Sequence, residues 1–180
     1  MNNLDNNISK ILNEERFNFV DEMNKQFIIS FTEKMKEIEY DFGGSIGDGY
    51  CWGHFMVIYS RKKKVIARFY IRNEGMRIWG NKEHHWDNCI VLRLFFSNIN
   101  KHIKYIETAP EHIKTTFTND QYNCTHCSDK CHNRKKYTIG GKQCEKCGYV
   151  FTFKNPNISE IDDYIGILKE FYAVKSKTIK

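Results

Sequence analysis

The amino-acid sequence predicts an α+β fold, in which an antiparallel sheet packs with N- and C-terminal helices and a cysteine-rich module precedes the last helix. Three observations lead to this prediction. Apolar residues recur at helical spacing through 20–42, and they alternate with polar residues through 50–72 and 89–96. Five of the seven cysteines lie within 124–147, shortly before a final amphipathic segment.

Composition places the chain among folded proteins. A hydrophobic content of 41%, with 13 Phe, 10 Tyr and 3 Trp, indicates an aromatic-rich core. The 180 residues are predicted to form a single α+β domain, 1–180, with 121–154 as a module within it. No stretch approaches the ~20 apolar residues of a membrane span, and the N-terminus lacks the features of a secretory signal. We therefore expect a cytoplasmic protein with reduced cysteines and no membrane partner.

Two helices are predicted before the first strand. Ile8, Ile11 and Leu12 indicate a short helix, and a longer amphipathic helix follows it. The apolar face of the longer helix consists of Val20, Met23, Phe27, Ile28, Phe31, Met35, Ile38 and Phe42. Its other face is acidic, and Gly43 and Gly44 predict its end.

The antiparallel sheet is predicted from alternating segments. Segments 50–60 and 64–72 indicate a hairpin closed by a basic turn, 75–80 a short strand and 89–96 a longer one. One face is apolar, and the other carries Arg68, Tyr70, Arg72 and Arg93. Because arginine pairs with phosphate and tyrosine stacks on bases, these arginines are candidate contacts for an anion or a nucleic acid. We favour the alternative, in which the acidic helix packs nearby and its carboxylates pair with these arginines.

The glycine-rich segment GGSIGDGYCWG, at 43–53, matches neither of the common phosphate-binding glycine motifs. We interpret it as a connection from helix to strand. Cys51, within this segment, and His54, just after it, are a candidate nucleophile and base. The sequence offers no third group to orient them.

The segment NKEHHWDNC, at 81–89, is interpreted as a polar loop. Adjacent residues project in different directions, so His84 and His85 would need ligands from elsewhere to hold a metal. The two histidines are a second candidate location for enzyme chemistry, and we expect that the protein is not an enzyme.

The second half of the chain is predicted to alternate helix and strand. A helix over 98–117 is interrupted near Pro110. Two strands, at 137–139 and 149–153, lie around a glycine turn, and the final amphipathic helix covers 159–172. The cysteine module is therefore flanked by core elements on both sides.

Two C-x-x-C pairs, Cys124/Cys127 and Cys144/Cys147, have the spacing of a four-cysteine zinc site. Each pair can aim two sulfurs at one point, and two pairs complete a tetrahedron around Zn²⁺. Because four thiolates leave no open position, we expect a structural zinc in a zinc-ribbon-like module, with an iron–sulfur cluster as the alternative. Spacing alone selects these four cysteines and leaves Cys131 spare. Cys131 is nevertheless well placed, because C-x-x-C-x-x-x-C can present three sulfurs from a single loop.

The run CTHCSDKCHNRKKYTIGGKQCEKCGYVFTF, with LRLFFSNINKHIKYIETAPEHIK before it, resembles an uncharacterised family of small cytosolic proteins from clostridia and related bacteria. The stretch shared with that family contains Arg134, Lys135, Tyr137, Thr138, Ile139 and Gly141. The resemblance covers residues 43–153 and implies the ligands Cys124, Cys127, Cys131 and Cys147, with Cys144 spare. It implies no activity. Both ligand sets stay open, with a slight preference for the one that contains Cys131.

The distribution of charge suggests nucleic-acid binding as a candidate function, beside the binding of a small molecule or a protein. The net charge is +6, a moderate basic bias, and segment 121–154 is among the basic parts of the chain. Its candidate phosphate contacts are Lys130, Arg134, Lys135, Lys136, Lys142 and Lys146. The first hypothesis is a zinc-stabilised module that binds a small molecule or a protein through its sheet. The second is a nucleic-acid-binding regulator that uses the basic cysteine module, and the third is an enzyme.

Overall fold

The computed structural model describes residues 5–47, 55–79, 82–119 and 131–173. The helices are α1 (Asp5–Leu12), α2 (Glu22–Met35), α3 (Ile103–Thr108), α4 (Glu111–Thr118) and α5 (Ile161–Phe171). The strands are β1 (Phe42–Ile46), β2 (Phe55–Arg61), β3 (Lys64–Arg72), β4 (Gly75–Trp79), β5 (Lys82–Trp86), β6 (Cys89–Phe95), β7 (Arg134–Ile139), β8 (Lys142–Cys147) and β9 (Val150–Lys154). Strands β1, β2, β3, β6 and β9 form an antiparallel sheet in that order, while β4–β5 and β7–β8 are separate hairpins. The predicted α+β class is confirmed.

Helices α2 and α5 pack on one face of the five-stranded sheet. Phe27 and Phe31 of α2 contact Phe69 of β3 edge-on, with ring centroids 5.9 and 5.0 Å apart. Tyr164 of α5 lies 4.8 Å from Phe153 of β9. We call this the inner face and the opposite one the outer face. Among the described helices, none is long and apolar enough to cross a membrane.

Helix α2 is shorter than its apolar pattern predicts. It ends at Met35, a 3₁₀ turn follows at Lys36–Ile38, and Glu39 has a left-handed backbone with φ of 53°. Phe42, expected on the apolar face of the helix, begins β1 and is 72% exposed. The helical spacing of Phe42 is therefore coincidental, because backbone pairing with β2 places this residue in a strand.

The glycine-rich segment begins as an edge strand, so its interpretation as a connection is wrong for its first residues. Gly43 and Gly44 lie in β1 with φ of +119° and +76°. A Cβ atom on Gly43 would lie 1.6 Å from the carbonyl oxygen of Ile58. Only glycine permits β1 to approach β2 this closely. Residues 48–54, including Cys51 and His54, lie outside the described part of the chain.

Strands β2 and β3 confirm the predicted hairpin in its described part. Lys62 and Lys63 connect them, and both have positive φ, 50° and 62°, as a two-residue type I′ turn requires. The register shifts between Tyr59 and Ser60. This bulge turns Ile66 into the core, where it is fully buried, although strict alternation predicts it on the outer face.

The expected polar loop at 81–89 contains a strand. Lys82–Trp86 forms β5, which pairs with β4 so that Met76 lies opposite His85. The indole of Trp86 donates a hydrogen bond of 2.7 Å to the carbonyl of Asn73. Because KEHHW has no apolar alternation, its strand conformation depends on pairing with β4 rather than on a buried face.

The predicted glycine turn at Gly140 and Gly141 is confirmed, but it connects β7 to β8, a strand that was not predicted. The predicted strand at 149–153 forms β9 of the five-stranded sheet. The second C-x-x-C pair, however, lies within β8 itself. Tyr137, Ile139 and Cys144 belong to the main hydrophobic core. The hairpin is therefore packed into the fold.

Candidate functional site

The outer face of the sheet carries two rows of side chains from four strands. Ile58, Arg68, Arg93 and Thr152 form one row, because each residue pairs directly with the next. The adjacent row consists of Met56, Tyr70, Val91 and Lys154. The predicted grouping of the arginines with Tyr70 on one face is confirmed.

Arg68 and Arg93 converge on a single hydroxyl group. Their Nη1 atoms donate to the oxygen of Tyr70 at 3.0 and 3.3 Å. The Arg93 guanidinium lies 4.6 Å from the centre of the Tyr70 ring, and that of Arg68 lies 5.5 Å from the centre of Phe95. Hydrogen bonds and cation–π contacts thus hold both cations in a half-buried position.

No carboxylate balances this arginine pair in the part of the chain that the structure describes. The five strands of the sheet contain no aspartate or glutamate, and neither guanidinium takes part in an ion pair there. The acidic helix lies on the inner face, so its favoured pairing with these two arginines is wrong. Glu37 instead pairs with Lys169, and Asp162 with Lys34. The hydrogen bond from Lys169 holds the pKa of Glu37 below its ordinary value.

Arg72 lies at one end of the same face. It pairs with Cys89 across β3 and β6, and its guanidinium lies 5.8 Å from the centre of the Trp86 ring. Burial raises the pKa of the Cys89 thiol, and the positive charge of Arg72 only partly opposes this. Because the thiolate is the reactive form, a raised pKa makes Cys89 a poor nucleophile near neutral pH.

The second C-x-x-C pair is split between the two sides of its strand. Cys144 is 3% exposed and packs in the core opposite Tyr137, where its Sγ lies 3.7 Å from the carbonyl oxygen of Lys142. Cys147, three residues later, is exposed. Side chains alternate along a strand, so residues three apart point to opposite faces. This conformation directs the two sulfurs away from each other.

Cys131 lies at the Cys147 end of the hairpin. Arg134 pairs with Cys147, and the Arg134 N–H donates to the carbonyl of Cys131 at 3.5 Å. The N–H of Gly148 donates to the carbonyl of Asn133 at 2.6 Å. These contacts bring the chain around Cys131 back beside the end of β8.

Cys124 and Cys127 lie outside the described residues. Either predicted ligand set draws two of its four ligands from them. Within the described ranges, no group of three or more His, Cys, Asp or Glu residues is placed to hold a metal ion.

Several cations of the cysteine module are engaged by the protein itself. Lys142 and Lys146 donate to the carbonyls of Thr118 and Asn119, at 2.9 and 2.5 Å, at the end of α4. The other interactions join Lys136 to Glu145 at 3.0 Å and Lys135 to the carbonyl of His132 at 2.9 Å. Lys142 and Lys146 therefore act as C-terminal caps of a helix, where positive charge is favourable.

The histidine pair provides no assembled site in the described chain. His85 is exposed, and its Nε2 lies 3.2 Å from Oε2 of Glu83. The side chain of His84 lies outside the described part, as do Cys51 and His54. Most of the candidate enzyme residues therefore lie outside the described part of the chain.

One polar cluster joins α4 to the start of α5, and the sequence pattern does not indicate it. The imidazole of His112, on α4, lies between Glu160 and Asp163, with N–O distances of 3.9 and 3.5 Å. Tyr164 donates to Glu160 at 2.6 Å. The cluster borders a cavity of about 400 Å³ beside β9. His112 and Glu160 are far apart in the chain, so no local motif could have indicated this arrangement.

Comparison with known proteins adds no relative: the chain matches no family model, no curated protein and no solved structure.

Proposed function

We propose that this protein is a zinc-stabilised, non-catalytic binding module of the cytoplasm, whose outer sheet face binds a small-molecule or protein ligand. The observation that carries the proposal is the arginine pair on that face. Arg68 and Arg93 are held beside each other by Tyr70, and no described carboxylate neutralises them. Two like charges directly opposite in a sheet are unfavourable, so an external anion would stabilise this arrangement.

The proposed zinc ligands are Cys124, Cys127, Cys131 and Cys147. Strand alternation supports this set, because Cys144 faces the core while Cys147 is exposed at the end of the hairpin that Cys131 approaches. Four thiolates fit the preference of Zn²⁺ for a closed tetrahedral site, and a closed site is structural. Zinc in such a site would tie the segment before β7 to the end of β8, in a zinc-ribbon-like arrangement.

Metal content per chain tests the zinc part of the proposal. We expect one zinc ion per chain in the wild type and in Cys144→Ala, because Cys144 is a core residue in the proposed arrangement. Cys131→Ser is expected to lose the zinc. Cys89→Ala is the matched control and should retain zinc: it also removes a buried thiol, but Cys89 packs with Tyr70 and Val91 rather than in the core that contains Cys144.

Three outcomes would contradict this assignment. Loss of zinc in Cys144→Ala but not in Cys131→Ser would select the other ligand set. Iron with visible absorbance would replace the zinc site with an iron–sulfur cluster. A wild-type protein that binds no metal would overturn the zinc part altogether.

A further inference from the structure

The arginine pair on the outer face offers many hydrogen-bond donors in a small area. A guanidinium has five N–H donors, and in the described part of the chain each of the two makes one hydrogen bond, to Tyr70. Arg68 and Arg93 are direct cross-strand partners, whose Cβ atoms lie about 5 Å apart. A ligand with several acceptor oxygens on one atom can therefore reach both guanidinium groups at once.

The arginine Nε atoms provide a second observation. Nε of Arg68 and Nε of Arg93 are both buried, and neither has a hydrogen-bond partner among the described residues. A buried, unsatisfied donor is costly, and native proteins rarely leave one without a partner such as a water or an ion. These Nε atoms are enclosed by protein, so they do not mark where a ligand would touch the arginines. They add to the cost of placing the two cations side by side, which a bound anion would offset.

Apolar side chains surround the arginine pair. Ile58 is the cross-strand neighbour of Arg68 on β2, and Met56 and Val91 lie in the adjacent row. The Phe95 ring contacts the Arg68 guanidinium. Ligand sites commonly combine apolar walls with a few polar groups that fix orientation. This surface suits an organic group attached to the anion.

We infer that the outer face binds a small phosphorylated organic molecule, with its phosphate group between Arg68 and Arg93. This inference rests on the proposed function, because it names the ligand class of the same face. A phosphate monoester is a dianion near neutral pH and matches two guanidinium charges, whereas a monocarboxylate neutralises only one.

A small ligand fits this surface better than a nucleic acid. A polyanion is bound by a line of exposed cations that follows its backbone. Here both arginines are half-buried among apolar residues, and Lys154 is the exposed cation of the adjacent row. Lys142 and Lys146 of the cysteine module are committed to the end of α4.

Calorimetric titration with phenyl phosphate tests the inference on the full chain. We expect saturable binding to the wild type, accompanied by a rise in Tm, since a ligand that binds only the folded state stabilises it. Arg68→Gln and Arg93→Gln should each weaken binding by about tenfold or more, because each removes charged hydrogen bonds. Arg93→Lys should also weaken it, because an ammonium cannot form a bidentate pair with phosphate.

Arg16→Gln is the matched control. Arg16 pairs with Glu14 at 2.7 Å and stacks on Phe17, away from the outer face. The Arg16→Gln variant removes the same charge and should leave phenyl phosphate binding unchanged.

Without ligand, Arg68→Gln and Arg93→Gln should have a Tm equal to or above that of the wild type, because each relieves the repulsion between the arginines.

Several results would overturn the inference. These are absence of binding to the wild type, equal binding by the Arg68→Gln and Arg93→Gln variants, and benzoate binding as tightly as phenyl phosphate. A single-stranded oligonucleotide that binds more tightly than phenyl phosphate, with the same dependence on Arg68 and Arg93, would also overturn it, in favour of nucleic acid. Zinc content is measured on the same samples. A protein that holds one zinc ion but does not bind phenyl phosphate contradicts only the phosphate inference. A protein that binds phenyl phosphate but holds no zinc contradicts only the zinc part of the proposed function.

Discussion

The hydroxyl of Tyr137 donates a hydrogen bond to the carbonyl oxygen of Phe117 at 2.6 Å, and its ring lies 6.5 Å from the rings of Phe117 and Phe151. Burial raises the pKa of this hydroxyl, so it remains a neutral donor. One side chain therefore joins the β7–β8 hairpin to the end of α4. At the scale of the residue, this contact anchors the chain that leads into the cysteine segment.

Tyr137→Phe should lower the free energy of unfolding by about 1–3 kcal/mol, because it leaves the buried carbonyl of Phe117 without its partner. Urea denaturation measures the effect. Tyr149→Phe is the control, because the Tyr149 ring makes a cation–π interaction with Lys135 and its backbone carbonyl accepts from Phe96, and phenylalanine preserves both. Equal losses in the two variants would show that the Tyr137 hydroxyl has no special role.

At the scale of the element, hairpins depend on the conformation of their turns. The β2–β3 turn uses two lysines in the left-handed region, where residues other than glycine are strained by roughly 1–2 kcal/mol. Asp41, the residue before β1, accepts a hydrogen bond from the N–H of Lys62 and supports this turn. Because the backbone of both lysines stays strained, a substitution that relieves this strain should raise the free energy of unfolding.

Lys63→Gly should raise the free energy of unfolding by about 0.5–1 kcal/mol, because glycine adopts the φ of 62° without strain. Lys64→Gly is the matched control, one residue later in β3, and should lower stability by a similar amount, since glycine weakens a strand. Thermal unfolding of both variants checks the signs. A loss of stability in Lys63→Gly would show that relief of turn strain is outweighed by the added freedom of the unfolded chain.

At the scale of the whole molecule, buried tyrosines link stability to alkaline pH. Burial raises the pKa of Tyr59 and Tyr164 well above the ordinary value and that of Tyr172 to about 12. The folded state therefore keeps its protons at a pH where the unfolded chain, with a tyrosine pKa near 10.0, loses them. This contribution to stability is complete below about pH 10 and is lost as pH rises towards 12 and beyond.

Above about pH 10, each such tyrosine should lower the free energy of unfolding by about 1.4 kcal/mol per pH unit. Urea denaturation over a pH series measures the slope, and tyrosinate absorbance reports ionisation. Tyr172→Phe should reduce the slope by the contribution of one tyrosine, about 1.4 kcal/mol per pH unit. A folded protein whose tyrosines all ionise with a midpoint near 10 would contradict the prediction.

Local sequence pattern predicted those elements whose packing repeats along the chain. Alternation located β3 and β6, because every second residue of each strand, from Ala67 to Ile71 and from Ile90 to Leu94, belongs to the main hydrophobic core. The pattern failed at β5, which is held by pairing with β4, and at Phe42, whose helical spacing is overridden by pairing with β2. Both errors arise where backbone hydrogen bonds between distant residues decide the conformation.

Sequence alone determined that Arg68 and Arg93 share one sheet face and that the cysteines cluster, because strand alternation and spacing are local properties. Only the tertiary structure decided that the acidic helix packs on the opposite face, which leaves the arginine pair without a described carboxylate. It also decided that Cys144 faces the core while Cys147 is exposed. Alternation separates the two sides of a strand, but contacts between distant segments determine which side is buried.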